Sequence, residues 1–248
     1  MIGYPGKRLL DILGASIGLL VFGPVIVVFA IAIWLYDFHS PFYFGRRIGR
    51  GGRIFHMVKL RSMVVNADKA GGSTTKATDN RITPMGRLVR RFKLDEVTQL
   101  WNVLVGDMSL IGPRPQVESD VKHYTAEERQ LLDVRPGISD LSSIVFSDEG
   151  DILAGSSNPD LDYCRLIRPW KLRLGLLYVR NASLTIDLTL IYATVVAIVA
   201  KSRALAIVQN VLRRIGADQD VVQVAARRAP LQPQPLPNSL AEALSVAH

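Results

Sequence analysis

ILGASIGLLVFGPVIVVFAIAIWLY, residues 12–36, is an apolar run broken at its centre by Gly23 and Pro24. At about 25 residues it is long enough to cross a bilayer, which takes roughly 20. Its flanking charges do not suit a crossing. Lys7 and Arg8 precede the run, and Arg46, Arg47, Arg50, Arg53, Lys59 and Arg61 follow it. Positive charge beside a membrane segment tends to stay cytoplasmic, so both ends favour the same side. Pro24 removes a helical hydrogen bond and crowds the preceding turn, while Gly23 adds freedom to bend. The run therefore reads as a re-entrant helix-break-helix hairpin, residues 1–37, that dips into one leaflet and returns. The alternative is a kinked spanning helix whose freed carbonyl is satisfied by neighbours. A cleavable signal has a shorter apolar core and a small-x-small cleavage site, so this run is expected to stay in the chain.

The 248 residues leave room for one compact domain beside this element. A net charge of +8 and a pI near 9.8 admit nucleic acid, anionic lipid or a phosphorylated substrate as partners. No nucleic-acid module signature is present, and the membrane run favours lipid and phosphate. A single cysteine, Cys164, excludes an internal disulfide, fits a reducing compartment and reads as a small core hydrophobe.

Residues 42–63 alternate apolar and basic side chains through glycine-rich turns and predict short strands or an extended surface segment. Neither a dinucleotide fingerprint nor a phosphate loop fits the glycine spacing. The polar stretch 71–80 reads as a loop. Residues 85–104 show helical spacing around the basic cluster Arg87, Arg90, Arg91 and Lys93, and the chain from Gly106 to Pro115 cannot remain helical. Residues 127–133 predict a short helix, and 161–178 an amphipathic one with Pro169 as a break. Residues 184–200 form an apolar helix that embeds Asp187, interfacial or packed rather than a second span. Beyond Gly216 the Ala, Pro and Gln content predicts a loose tail, 216–248.

The four histidines are scattered without metal-ligand spacing, and no Ser-His-Asp arrangement appears. Two adjacent carboxylates, Asp95 and Glu96, directly follow the basic stretch from Arg90 to Lys93. In isolation they read as a solvated face with compensating ion pairs. A second basic element shifts that balance: Pro113 and Pro115 hold Arg114 on a stiff scaffold, and a guanidinium can grip a phosphate with two parallel hydrogen bonds. Beside a phosphorylated substrate a carboxylate can ligate magnesium, attack phosphorus, or do both in turn.

The segment KLDEVTQLWNVLVGDMSLIGPRP, residues 93–115, resembles the signature of the bacterial sugar transferases, the monotopic phosphoglycosyl transferases. KRLLD at 7–11, FHMVKLRSM at 55–63, DNRITPMGR at 79–87, VRPGI at 134–138 and YVRNASLTIDL at 178–188 extend the resemblance in order along the chain. It implies a membrane-bound enzyme whose aspartate, matching Asp95, is the nucleophile of an Asp-Glu dyad completed by Glu96. Members transfer a sugar 1-phosphate from a UDP-sugar to undecaprenyl phosphate at the cytoplasmic face of the bacterial inner membrane and release UMP. This is a first membrane step of exopolysaccharide, lipopolysaccharide or glycoconjugate synthesis. Mg2+ is the implied cofactor, with Asp95 and Glu96 as its ligands. Lys59, Arg61, Arg90, Arg91 and Arg114 are the phosphate-binding candidates, and Lys59 and Arg61 read equally as lipid-headgroup contacts. Asp187, a family-matched carboxylate in an apolar run, joins the substrate set as a site residue or one half of a buried pair.

The expected fold is α+β, mainly α: the hairpin, a cytoplasmic catalytic domain 38–215 with membrane-surface amphipathic helices and a small β element, and the tail. After Ile138 the chain reads Ser139-Asp-Leu-Ser-Ser-Ile144 where many members continue Thr-Gly, which leaves the donor sugar open. Oligomeric state is open too, a homodimer included. Two rivals remain at this stage: a UDP-releasing glycosyltransferase, and a non-catalytic membrane scaffold of polysaccharide assembly.

Overall fold

The computed structural model describes residues 3–67 and 79–235. The loop expected at 71–80 falls outside this description apart from Asp79 and Asn80, as do residues 236–248 of the tail. Over the described residues the chain is mainly helical with two small β elements, an α+β architecture.

Helix α1, Lys7–Asp37, contains Pro24 yet runs as one element. No residue within it leaves helical geometry, so the helix passes without interruption through Gly23 and Pro24, where the sequence predicted a helix-break-helix hairpin; the proline removes one amide donor and leaves the other helical hydrogen bonds in place. One stripe of α1, at Asp11, Ala15, Ile26 and Ile33, is buried against the rest of the protein on both sides of Pro24. Spacings of four, eleven and seven residues put these positions on one helical face. The opposite face stays exposed and apolar through Leu13, Leu20, Val28 and Leu35. Among the described residues α1 is the one helix long and apolar enough to cross a membrane.

Strands β1 (Phe42–Ile48) and β2 (Ile54–Leu60) form an antiparallel hairpin with Phe42 opposite Leu60 and Ile48 opposite Ile54, as the glycine-rich pattern predicts. Gly51 and Gly52 turn the chain at φ 68° and 76°, a conformation other residues adopt only at a cost. The other edge of β2 is closed by side chains: Asn102 accepts from Val58 N at 2.9 Å and donates to His56 O at 2.8 Å, and Thr98 donates to Val58 O at 3.0 Å. These bonds satisfy backbone groups that a bare edge would leave unpaired.

The helical spacing at 85–104 resolves into three helices, α2 (Pro84–Arg91), α3 (Leu94–Val97) and α4 (Leu100–Val105). Thr83 caps α2 by accepting from Gly86 N at 2.9 Å. The division between α2 and α3 falls at Lys93, held in the left-handed region at φ 52°. A non-glycine residue there costs of order 1 kcal/mol, and such strain clusters at working sites.

Strand β3 (Ser109–Ile111) pairs in parallel with β4 (Gly137–Ser139). The approach is so close that a Cβ on Gly137 would lie 2.1 Å from Gly112 N. Between these strands lie α5 (Glu118–Lys122) and a 3-10 turn, Glu128–Asp133. After β4 come α6 (Leu141–Val145), α7 (Glu149–Ile152), α8 (Pro159–Asp162), a π-helical turn Tyr163–Ile167, and α9 (Arg168–Asn181). Pro169 begins α9 instead of breaking it, because a proline in the first turn removes no helical hydrogen bond.

Helices α10 (Leu184–Val199), α11 (Lys201–Arg214) and α12 (Gln219–Ala226) complete the order. They pack with α6 and α9 around the main core, which includes Leu141, Leu174, Leu190 and Leu212. The loose tail expected from Gly216 is a docked helix over α12: Val221, Val222 and Ala225 are buried in that core. Their spacing gives α12 an apolar face that composition alone masked. Helix α10 buries Asp187, Leu190 and Ala193, while Leu188, Tyr192, Val195 and Val199 are exposed. Its 16 residues favour an interfacial helix packed by one face over a second span.

Candidate active site

Asp95 and Glu96 occupy the first turn of α3, where carboxylates complement the helix dipole. Glu96 Oε1 pairs with Arg114 Nη2 at 3.1 Å. No hydrogen bond or ion pair holds the Asp95 carboxylate among the described residues; the Asp95 contact is its backbone oxygen, which accepts from Thr98 Oγ1 at 2.9 Å. Thr98 also holds β2, so Lys59 near the end of that strand is brought beside α3.

The electrostatics separate the two carboxylates. Burial pushes Asp95 above the usual carboxylate range, and Lys59, Arg90 and Arg114 offset only part of that rise while the Glu96 charge adds to it. Burial acts in the same direction on Glu96, but Arg114, Lys93 and Lys59 together reverse it, so Glu96 is held below its ordinary value. Burial, reinforced by Arg114, brings Lys59 down to about 8. Glu96 in turn holds Arg114 firmly charged. One carboxylate is thus basic and free while its neighbour is acidic and tied, a division that assigns different tasks to the pair.

The structure brings Lys59, Arg90 and Arg114 together with Asp95 and Glu96 and places the other candidates elsewhere. Arg61 spends its fork on Asp37 at the end of α1, with Nη1 and Nη2 each 2.6 Å from a carboxylate oxygen, and its Nε donates to Ser40 O. Arg91 is exposed and lies over the Phe92 ring. Asp187 sits apart from the cluster as an acceptor for Tyr178, Lys7 and Tyr4. Gly23 and Pro24 lie mid-way along α1, away from Asp95 in sequence and with nothing near a Cβ built on Gly23.

The sequence profile of the bacterial sugar transferase family matches residues 3–201. The chain belongs to that family. Among its relatives, an N-acetylgalactosaminephosphotransferase from Aeromonas hydrophila, named for UDP-N-acetylgalactosamine and undecaprenyl phosphate, is 33% identical over 76% of this chain and 42% of its own length. The exopolysaccharide production protein ExoY of Rhizobium meliloti is 32% identical over 79% of this chain and 87% of its own length. A UDP-glucose:undecaprenyl-phosphate glucose-1-phosphate transferase from Caulobacter vibrioides is 32% identical over 66% and 64%. The chain thus spans less than half of the Aeromonas protein.

Within this family member, two carboxylates that local sequence did not mark act on Arg114 through space. Glu149 and Asp140 both act on its charge, after Glu96. Glu149 pairs in turn with Lys171, which lies over the Tyr163 ring at 5.2 Å. Their separation from Arg114 in sequence leaves no spacing signal. The one hint was the departure from the common family pattern after Ile138. Cys164 is half-buried, and burial raises its thiol to about 11, which makes it a poor nucleophile at neutral pH.

Among the described residues no three potential ligands gather into a metal cluster. Magnesium needs no such cluster, since it commonly takes one or two carboxylates and fills its remaining positions with substrate phosphates and water. An unpaired Asp95 carboxylate beside Glu96 fits that donor set.

Proposed function

We propose that this protein transfers a sugar 1-phosphate from a UDP-sugar to undecaprenyl phosphate through a covalent intermediate on Asp95. The single observation that carries the reading is the division of the dyad: Asp95 is half-buried and unpaired with its pKa raised, while Glu96 is fixed on Arg114. An Asp95 oxygen attacks the phosphorus that bears the sugar, and the bond from that phosphorus to the UMP oxygen breaks. An oxygen of the acceptor phosphate then attacks the same phosphorus, and Asp95 leaves as a free carboxylate. Two displacements replace one encounter between two anionic substrates.

Lys59, Arg90 and Arg114 are the groups available to offset substrate charge, and such preorganised charge is a large part of phosphoryl-transfer catalysis. Glu96 orients Arg114. Mg2+, held by Asp95 and Glu96 with the substrate phosphates, would supply further neutralisation of the phosphoryl oxygens. The relatives' names include both N-acetylgalactosamine and glucose donors, so this reading leaves the donor sugar open.

The same reading extends to the membrane. The exposed apolar faces of α1 and α10 enter one leaflet of the inner membrane, and α1 returns its ends to the cytoplasmic side, where a soluble donor and a lipid headgroup can meet. Contacts between the protein body and both halves of α1 support this re-entrant path.

The test is purified full-length protein with undecaprenyl phosphate, Mg2+ and a panel of UDP-sugars, with the released nucleotide identified. UMP is expected; UDP as the sole product would replace this reading with sugar transfer. Donor labelled in the sugar-linked phosphate, given without acceptor, should label the wild type and leave Asp95→Asn unlabelled.

A further inference from the structure

Leu88 and Phe92 stand exposed near the dyad without covering the core. With Met85 they lie at spacings of three and four, which puts all three on one stripe of α2 and its C-terminal cap. Met85 is half-buried against the cluster that joins Val89 and Leu94 to Ile26 and Ile33 of α1. The stripe then runs outward, and Leu88 and Phe92 remain 40% and 57% exposed. Arg87 and Arg91 are exposed on the basic side of the same helix. A helix with one apolar and one basic side lies in a membrane surface, apolar side inward. The second half of α1, against which α2 packs, exposes Val28, Ile31 and Leu35 as well.

Only Lys93 and the buried Leu94 separate Phe92 from Asp95, and the left-handed backbone at Lys93 joins α2 to α3 without a loop. An exposed apolar edge thus ends three residues from the reacting carboxylate. We infer that the edge formed by Leu88 and Phe92 holds the first isoprene units of the lipid acceptor while its phosphate meets Asp95. The inference rests on the proposed acceptor, undecaprenyl phosphate, and adds the surface that its chain follows. Such a molecule needs two unlike surfaces in sequence. Its chain needs apolar side chains continuous with the bilayer, where contact keeps apolar area out of water, and its phosphate needs cations. The first surface is the edge of α2; the second is Lys59, Arg90 and Arg114 beside Asp95. The donor carries sugar, ribose and phosphates, so the acceptor's chain is the partner that two exposed apolar side chains fit.

The test uses full-length protein in nanodiscs and an undecaprenyl phosphate analogue that carries a diazirine in its first isoprene units. After irradiation, crosslinks in wild type and in Asp95→Asn are mapped to peptides; they are expected on the segment that contains Leu88 and Phe92. Phe92→Ser and Leu88→Ser, both at exposed positions that spare the fold, should weaken crosslinking at least tenfold, and Phe92→Leu should keep it. In steady-state assays the serine variants should raise KM for undecaprenyl phosphate at least tenfold and leave KM for the donor unchanged. Tyr192→Ser, which removes an exposed aromatic side chain from α10, should change neither readout, and thermal unfolding checks each variant. Crosslinking needs no turnover, so a wild type that crosslinks on α2 but releases no UMP removes the proposed reaction and leaves this site standing. The inference is overturned if crosslinks fall outside α2, if Tyr192→Ser weakens them as much as Phe92→Ser, which would mean bilayer attachment only, or if KM for the donor rises with that for the acceptor.

Discussion

Lys7 Nζ, in the first turn of α1, lies 2.5 Å from Asp187 Oδ2 in α10, across 180 positions of sequence. Asp187 also accepts from Tyr178 Oη at 2.7 Å and Tyr4 Oη at 2.8 Å, while Lys7 and Tyr178 both reach Ile111 O. The start of α1, the end of β3, α9 and α10 are thereby fastened at one buried point. Removing one partner of such a pair strands the other charge, so Asp187→Ala should lower stability by about 3–5 kcal/mol. Denaturant unfolding in detergent measures it, and the double variant Lys7→Met with Asp187→Ala should lose less than the two single losses added together.

Glu96 orients Arg114 by a charge-assisted contact, an interaction worth about 1.5–3 kcal/mol. Glu96→Gln should therefore reduce kcat/KM about 10- to 100-fold, as should Arg114→Lys, which keeps the charge and loses the planar fork. Steady-state kinetics on folded protein decides this; unchanged kcat/KM in Arg114→Lys would remove the guanidinium from the proposed mechanism.

The pH profile of kcat/KM should be bell-shaped. Attack needs ionised Asp95, whose pKa is raised, so activity rises with pH through a limb above the ordinary carboxylate range. Charge neutralisation needs protonated Lys59, so activity falls as pH passes about 8. Lys59→Arg keeps its proton throughout and should move the alkaline limb upward without touching the acid one.

Neighbouring arginines should differ. Arg90 acts on Asp95, whereas Arg91 is exposed over Phe92. Arg90→Ala should depress kcat/KM by at least tenfold more than Arg91→Ala. Equal losses would mean that the basic cluster works as a diffuse field.

Topology can be read directly. Tags at the two ends of the full chain should both be protected from protease added to the periplasmic side of spheroplasts and both be exposed in inverted vesicles. One tag cleaved and the other protected in the same preparation would make α1 an ordinary span.

Much of this architecture was legible locally. The 12–36 run, the β1-β2 alternation and the dyad after its basic stretch are carried by near neighbours, because helical and strand periodicities place residues two to four apart on a common face. Other elements were legible only in part. The spacing at 85–104 correctly marked helix, yet the left-handed turn at Lys93, a residue with no intrinsic preference for it, re-aims α3. Pro169 was read as a breaker although its position in a first turn makes it an initiator.

The sequence by itself determined the membrane-seeking run, the mainly helical class, the family and the Asp95-Glu96 pair. Tertiary structure alone decided which of the basic candidates face that pair: β2 is clamped by Thr98 and Asn102, which brings Lys59 in, while Asp37 takes Arg61 away. It likewise decided that Asp187 meets Lys7, that Glu149 and Asp140 lie near enough to act on the charge of Arg114, and that α12 docks. The physical reason is common to all of these. Charge acts through space over a few ångströms and burial is collective, so a side chain's ionisation and partners depend on chain segments that no local pattern connects.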